Sequence, residues 1–328
     1  MRISFLVIGV IWAFAGGAEL PPPVRHQGMC DASAGVPAGA DLFWVANDED
    51  NILRLYSASS PGEPVQTYNL TPFLQTTNKH SEVDLEGATQ IGNRTYWIAS
   101  HGNNKNGKYR PNRHVLFALE MASTASKLPG LRPVGLPYRN LLESLTNASS
   151  FQRIGFREAS QRAPEAFGGL NIEGLSATPE GHLLIGFRNP LPQNNALVVD
   201  LQNPEAVLLQ SKKPRFGQPI LLNLGGRGIR SMEYIQKIKA YLIIAGPVAD
   251  KGTFRLFRWS GKTDQAPVDL GSLEGLGTHP EGLLQIPGDP SHLLILGDGG
   301  SDRIQGVACK EAPPAQQRFF GFQIPIPK

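Results

Sequence analysis

The chain has 328 residues, with 31 Lys and Arg against 28 Asp and Glu, a formal net charge of +3, 36 Gly, 27 Pro and two Cys. That length buries a full core and allows one large all-β domain or two ordinary ones. Acids and bases are interspersed rather than gathered in blocks, which excludes the basic stripe of a nucleic-acid-binding surface.

The chain opens with MRISFLVIGVIWAFAGGAEL, where Arg2 precedes an apolar run from Ile3 to Ala15 and small residues follow around Ala13, Ala15 and Ala18. This is the layout of a secretory signal peptide, and the run is too short to span a bilayer comfortably. The expectation is a leader over 1–18 and a periplasmic or secreted chain over 19–328, with no membrane span after cleavage. An uncleaved anchor is the alternative. Cys30 and Cys309 lie at opposite ends of the mature chain, and in an exported protein they are expected to pair. Free thiols are the other reading. Asn69, Asn93 and Asn147 begin sequons that matter only where a host glycosylates exported proteins.

From residue 30 onward one module recurs, and its elements are short, apolar and bounded by turn residues, as in β-strands. An opening strand is read in CDASAGV (30–36), EGATQIG (86–92), EGLSATP (173–179), MEYIQKI (232–238) and EGLLQIP (281–287). A strongly apolar second strand follows in DLFWVAND (41–48), RTYWIAS (94–100), HLLIGFR (182–188), AYLIIAG (240–246) and HLLILGD (292–298). Third strands are NILRLY (51–56), RHVLFAL (113–119), NALVVDL (195–201), FRLFRW (254–259) and RFFGFQI (318–324). Fourth strands are read in PVQTYNL (64–70), PILLNLG (219–225) and, less clearly, PVDLGSL (267–273).

Repeated four-stranded units describe an all-β protein of β-propeller architecture. Five blades are visible and a six-bladed ring stays open; a pair of β-sandwiches leaves the matched strand order unexplained. Residues 121–170, which include the helix-like PYRNLLESL, are read as an insertion in the second blade of a single propeller domain. A propeller closes when one terminus completes the last blade. PPPVRHQG, just before Cys30, is expected to supply the outermost strand beside RFFGFQI, with the disulfide pinning the ring shut.

ANDEDNILRLY, DLEGATQIGNRTYWIASHG, RPNRHVLFAL, LNIEGLSATPEGHLLIGFRNP, LNLGGRGIRSMEY, YLIIAGP, FRLFRWSG and HPEGL followed by LGDGG span nearly the whole mature chain. Through them the sequence resembles the bacterial domain of unknown function 3616. The resemblance implies a propeller-like fold, often exported and distantly similar to phytase-like esterase propellers. It implies no established activity.

Inner strands of a propeller line its channel, so Glu86, Glu173, Glu233 and Glu281 are expected to converge on one axis. Facing carboxylates raise one another's pKa and call for compensation. Arg188 and Arg230, at strand ends, could pair with them. A hard cation, Ca²⁺ or Mg²⁺, could be held by oxygen ligands, with Asp48, Glu86 and Asp298 as its first candidates. Backbone hydrogen bonds between blades are the third compensation. Asp84, Asn171, Glu173 and Glu281 are read as ligand-binding residues, with Asp84 an acid peculiar to its own blade. His101, Arg188 and Arg230 are the candidate catalytic groups. The NDEDN loop (47–51) lacks the Gly and terminal Glu of an EF-hand, and no nucleophile elbow, P-loop or dinucleotide fingerprint occurs.

Two classes of function remain. One is a metal-dependent hydrolase of a phosphoester, ester or lactone, acting as a monomer on a small anionic molecule. The other is a non-catalytic ligand-binding or scaffold propeller.

Overall fold

The computed structural model describes residues 22–39, 41–76, 80–123, 128–249, 251–286 and 288–327; the leader read over 1–18 lies outside them. Five four-stranded antiparallel sheets are arranged as the blades of a β-propeller. Blade 1 runs from its inner strand Ala32–Pro37 through Leu42–Asn47 and Ile52–Ser57 to Gln66–Asn69. Blade 2 is Leu85–Ile91, Arg94–Ala99, Leu116–Ser123 and Pro129–Tyr138, and blade 3 is Asn171–Ala177, Leu183–Asn189, Ala196–Leu201 and Ile220–Leu222. Blade 4 is Gly228–Ile235, Ala240–Gly246, Arg255–Trp259 and Val268–Ser272. Blade 5 takes three strands from the C-terminal part, His279–Gln285, His292–Asp298 and Arg318–Pro325, and its outermost strand from Val24–Gln27.

The second strands are the most apolar because each is covered on both faces by neighbouring blades; Leu183–Asn189 and Ala240–Gly246 are buried at every position. Outer strands such as Gln66–Asn69 alternate half-buried and exposed residues. The core accordingly divides into seams between adjacent blades. Trp44, Leu55, Trp97 and Phe117 join blades 1 and 2, and Ile98, Leu116, Leu175 and Ile185 join 2 and 3. Val198, Ile229, Met232 and Ile243 join 3 and 4; Leu242, Ile244, Leu283 and Ile295 join 4 and 5. Phe43, Val45, Leu294 and Phe319 join 5 back to 1. Five seams close the circle, so the ring has five blades.

Blade 2 draws its fourth strand, Pro129–Tyr138, from the segment read as an insertion. Helical turns at Leu141–Asn147, Ser149–Ile154 and Phe156–Ala159 follow before blade 3 begins. Their apolar side, Leu141, Leu145, Phe151 and Phe156, packs into the seam between blades 2 and 3.

Ring closure matches the sequence expectation. Val24 pairs with Gly321 and Gln27 with Arg318, and Cys30 and Cys309 form a disulfide. No helix among the described residues is long and apolar enough to cross a membrane.

The closing strand carries an acid-sensitive group. His26 is fully buried, stacks on Phe319 at 4.8 Å and meets Tyr56 at 5.1 Å, and neither ring nitrogen has a hydrogen-bond partner. Burial lowers its pKa from 6.5 to about 4. The unfolded chain therefore binds the proton first as pH falls, so this contribution to stability is intact above about pH 6.5 and declines toward pH 4. At pH 5 the loss is about 2 kcal/mol. Thermal melts at pH 7 and pH 5 should show a smaller pH-dependent fall for His26→Phe than for the parent protein; an equal fall would remove His26 as its source.

Candidate functional site

The register of the inner strands defines the site. In every blade the pairing of first and second strands is interrupted by a β-bulge: between Ala32 and Ala34, Leu85 and Gly87, Ile172 and Gly174, Ile229 and Ser231, and Pro280 and Gly282. A bulged residue is left out of the ladder and re-aims its side chain. The five equivalent residues are Ser33, Glu86, Glu173, Arg230 and Glu281.

The expected ring of four glutamates is thus corrected at one place. Glu233 pairs with Leu242, three positions beyond the bulge. It lies toward the hairpin end of the inner strands, in a separate cavity of about 320 Å³ with Thr89, Ser176 and Tyr234. There burial raises its pKa to about 8, opposed by a hydrogen bond with Gln285. Matching Glu to Glu missed the offset, because a bulge leaves no mark in hydrophobic alternation. The recurrent Glu-Gly step has its own cause. A Cβ on Gly87 would stand 2.9 Å from the Leu175 Cβ of the next blade, and one on Gly174 would stand 2.7 Å from Ile229 Cγ2. Gly is needed there for blades to approach.

Arg230 takes the ring position where the sequence reading expected an acid, and it compensates the others. Its Nε lies 2.8 Å from Glu173 Oε2, and its Nη2 donates to Glu281 Oε1. Arg188 Nη1 donates to Glu173 Oε1 at 3.0 Å, its Nη2 to Glu165 at 3.3 Å and its Nε to the Pro247 carbonyl at 3.2 Å. Asn171 Nδ2 donates to the same Glu173 Oε1 at 2.8 Å, while Asn171 Oδ1 accepts nothing. On the other side, Arg113 reaches Glu82 at 2.6 Å and Asp84 at 2.8 Å.

Between blades 1 and 2 these pairs leave more acids than cations among the described residues. Asp48, Asp84 and Glu86 bring one carboxylate oxygen each within 4.8 Å of one another, and Asp31, Asp48 and Glu49 do the same. Asp48 Oδ1 is inaccessible and has no hydrogen-bond partner. Burial first, then Asp31 and Asp84, holds the Asp48 carboxyl well above the usual carboxylate range. Burial and Glu173 do the same to Glu86. Burial and Glu281 raise Asp298, although the Gly300 amide donates to its Oδ1 at 2.7 Å. Burial pushes Asp31 up to about 6 and Glu82 up to about 7. Asp84 also has φ +57°, a backbone conformation that costs a non-glycine residue energy.

The channel mouth therefore gathers Asp48, Asp84, Glu86, Asn171, Glu173, Arg188, Arg230, Glu281 and Asp298 in one electrostatic network. His101 stands apart from it. It is buried, its Nδ1 donates to the Ala99 carbonyl at 2.8 Å, and its ring meets His114 at 5.4 Å. Burial and then His114 lower its pKa to about 3, and no acid of the mouth acts on it. The ring is neutral at physiological pH, and its buried Nε2 has no hydrogen-bond partner among the described residues. Asp84 is not peculiar to its blade either, since Asp31 and Asn171 stand two residues before Ser33 and Glu173 just as Asp84 precedes Glu86. That offset, read across modules, would have found Asp31. Nothing local marks Arg113, Glu165 or Lys310, whose Nζ lies 2.6 Å from Glu49.

A family model described as "Protein of unknown function (DUF3616)" matches residues 31–123 and 140–303. No curated protein matches the chain. Glutaminyl cyclase of Myxococcus xanthus is similar in structure at 12% identity and a TM-score of 0.49, covering 94% of this chain and 97% of its own. The PQQ-bound aldose sugar dehydrogenase of Streptomyces coelicolor follows at 11% identity and 0.44, covering 93% and 97%. Regucalcin of Agrobacterium tumefaciens, a calcium-binding protein, has 10% identity and 0.40, covering 92% of each chain.

Proposed function

The chain belongs to the family of proteins of unknown function DUF3616, and from that premise we propose an exported propeller whose channel mouth binds a divalent cation and hydrolyses a small phosphoester, ester or lactone. The disulfide fits an extracellular or periplasmic setting. The observation that carries the reading is Asp48 Oδ1, a buried carboxylate oxygen without a partner, in a triad with Asp84 and Glu86. Among the described residues Asp84 alone of the three has a cation partner, Arg113, which it shares with Glu82, so the group carries a repulsion that a hard ion removes, and oxygen donors of this kind suit Ca²⁺ or Mg²⁺.

Asp48, Asp84 and Glu86 would hold the ion, with Asp298 or Asp31 at its border. A bound divalent cation supplies Lewis acidity to a substrate oxygen or to water. Arg113 orients Asp84, and Arg188 and Arg230 pair with Glu173 and Glu281 beside the ion site. These two guanidinium groups are already engaged by carboxylates, so a substrate anion must compete with Glu165 or Glu281 to reach them. The competing reading, a binding or scaffold propeller, keeps the ion and omits the reaction.

Thermal melts in EDTA, then in Ca²⁺, Mg²⁺ or Mn²⁺, test the cation. Free ion at a hundred times its Kd should stabilise the protein by about 2.7 kcal/mol. Asp48→Asn should raise the melting temperature of the EDTA-treated protein, by relieving repulsion, and abolish the cation-induced rise. No rise at saturating metal in the parent protein sinks the reading. A panel of phosphoesters, esters and lactones, with Asp84→Asn as control, then separates enzyme from scaffold.

A further inference from the structure

A cavity of about 1,200 Å³ lies not in the channel but in a cleft beside it, over blades 3 and 4. One wall is the segment between blades 2 and 3, including Arg153, Glu165 and Phe167; the opposite side includes Leu191, Leu221 and Val248. The apolar surface there is unusual for this molecule. Of the seven large apolar side chains exposed among the described residues, two, Phe167 at 95% and Leu221 at 37%, line this cleft.

Phe167 is displayed on a fixed backbone. Asn189 Nδ2 donates at 2.7 Å to both the Pro164 and the Ala166 carbonyls, and Arg162 Nη1 donates to the Phe167 carbonyl at 2.8 Å. An aromatic ring held in water on a braced loop has met the ordering cost of binding in advance. The charges are as specific. Only Arg153 and Glu165 among the lining residues are ionisable. Glu165 is engaged by Arg188, whereas exposed Arg153 has no ion-pair partner among the described residues. Among the described lining residues Arg153 is therefore the cation without an ion-pair partner, set against a mainly apolar wall, while Glu165 shares Arg188 with Glu173.

We propose that this cleft is a binding site for a small amphiphilic anion, an apolar body with one carboxylate head, the body lying between Phe167 and Leu221 and the head on Arg153. The volume suits a drug-sized or medium-chain molecule. This goes beyond the cation reading and does not depend on it.

The test uses the fluorescent fatty acid cis-parinarate as probe, with full-length protein in EDTA and again in Ca²⁺. The expected result is saturable binding of one probe per chain in both buffers. Dodecanoate displaces it; dodecylammonium and methyl dodecanoate are at least about tenfold weaker. Phe167→Ser and Arg153→Glu, both at exposed positions, each weaken binding by about tenfold or more. Equal affinity in both variants, or equal displacement by dodecylammonium, overturns the proposal. So does Phe167-dependent dimerisation without probe binding, which would make the cleft a contact between copies. Binding in EDTA alongside failed cation melts would leave the cleft standing and remove only the cation.

Discussion

Arg230→Met is expected to destabilise the protein by about 3–5 kcal/mol, the cost of stripping the counter-charge from a buried pair. Arg230 is the sole basic member of the five-residue ring and is shared by Glu173 and Glu281, both almost fully buried. Its loss leaves these carboxylates facing Glu86 with no cation between them. The double variant Arg230→Met, Glu281→Gln should recover part of the loss, because the two residues are coupled and their effects do not add. The pH dependence has a definite sign. Without Arg230 the folded-state carboxyls titrate above their unfolded values, so the folded protein binds more protons, and its stability falls as pH rises. The deficit should therefore be smaller at pH 5 than at pH 7.5 in denaturant unfolding. A deficit that does not change with pH would show that Arg230 acts through packing instead.

Removing the disulfide should cost about as much. Cys30→Ala with Cys309→Ala opens a covalent loop with a sequence separation of 279 residues, and in the chain-entropy picture that is worth about 5 kcal/mol. The bond joins the entry to blade 1 to the segment before the last strand of blade 5. It backs a short closing strand that pairs with the last strand at four positions and is bridged to Gly62 at His26. Hydrogen exchange in the variant should rise first at Val24–Gln27 and Arg318–Pro325. Both sulfurs belong to buried residues, at 2% and 0% exposure, so reductant should act on the native protein only as it opens. A melting temperature within a degree or two of the parent would show that the seam between blades 5 and 1 closes the ring unaided.

The architecture was legible because its signals are local. Leu183–Asn189 and Ala240–Gly246 read as continuous apolar runs since both faces of a second strand are covered. PPPVRHQG was recognisable as the closing strand because a ring needs one and the segment lies next to Cys30. The fourth strand of blade 2 was hidden, since Pro129–Tyr138 is rich in Pro and Gly and has few buried residues. His101 was read at a strand end; its ring packs against His114, while its backbone amide donates to the Arg113 carbonyl.

The sequence by itself determined the repeat, because periodicity and turn chemistry act over a few residues, and it pointed to the closing strand and to the pairing of Cys30 with Cys309, because a ring must join its ends. Only the tertiary structure decided that Arg230, not Glu233, completes the ring around the channel. It alone brought Asp48 of the loop after one strand to Asp84 and Glu86 of the next blade. The physical reason is the bulge. One unpaired residue shifts which side chains face the axis, and their mutual distances follow from five blades closing on one another, which no single stretch of chain encodes.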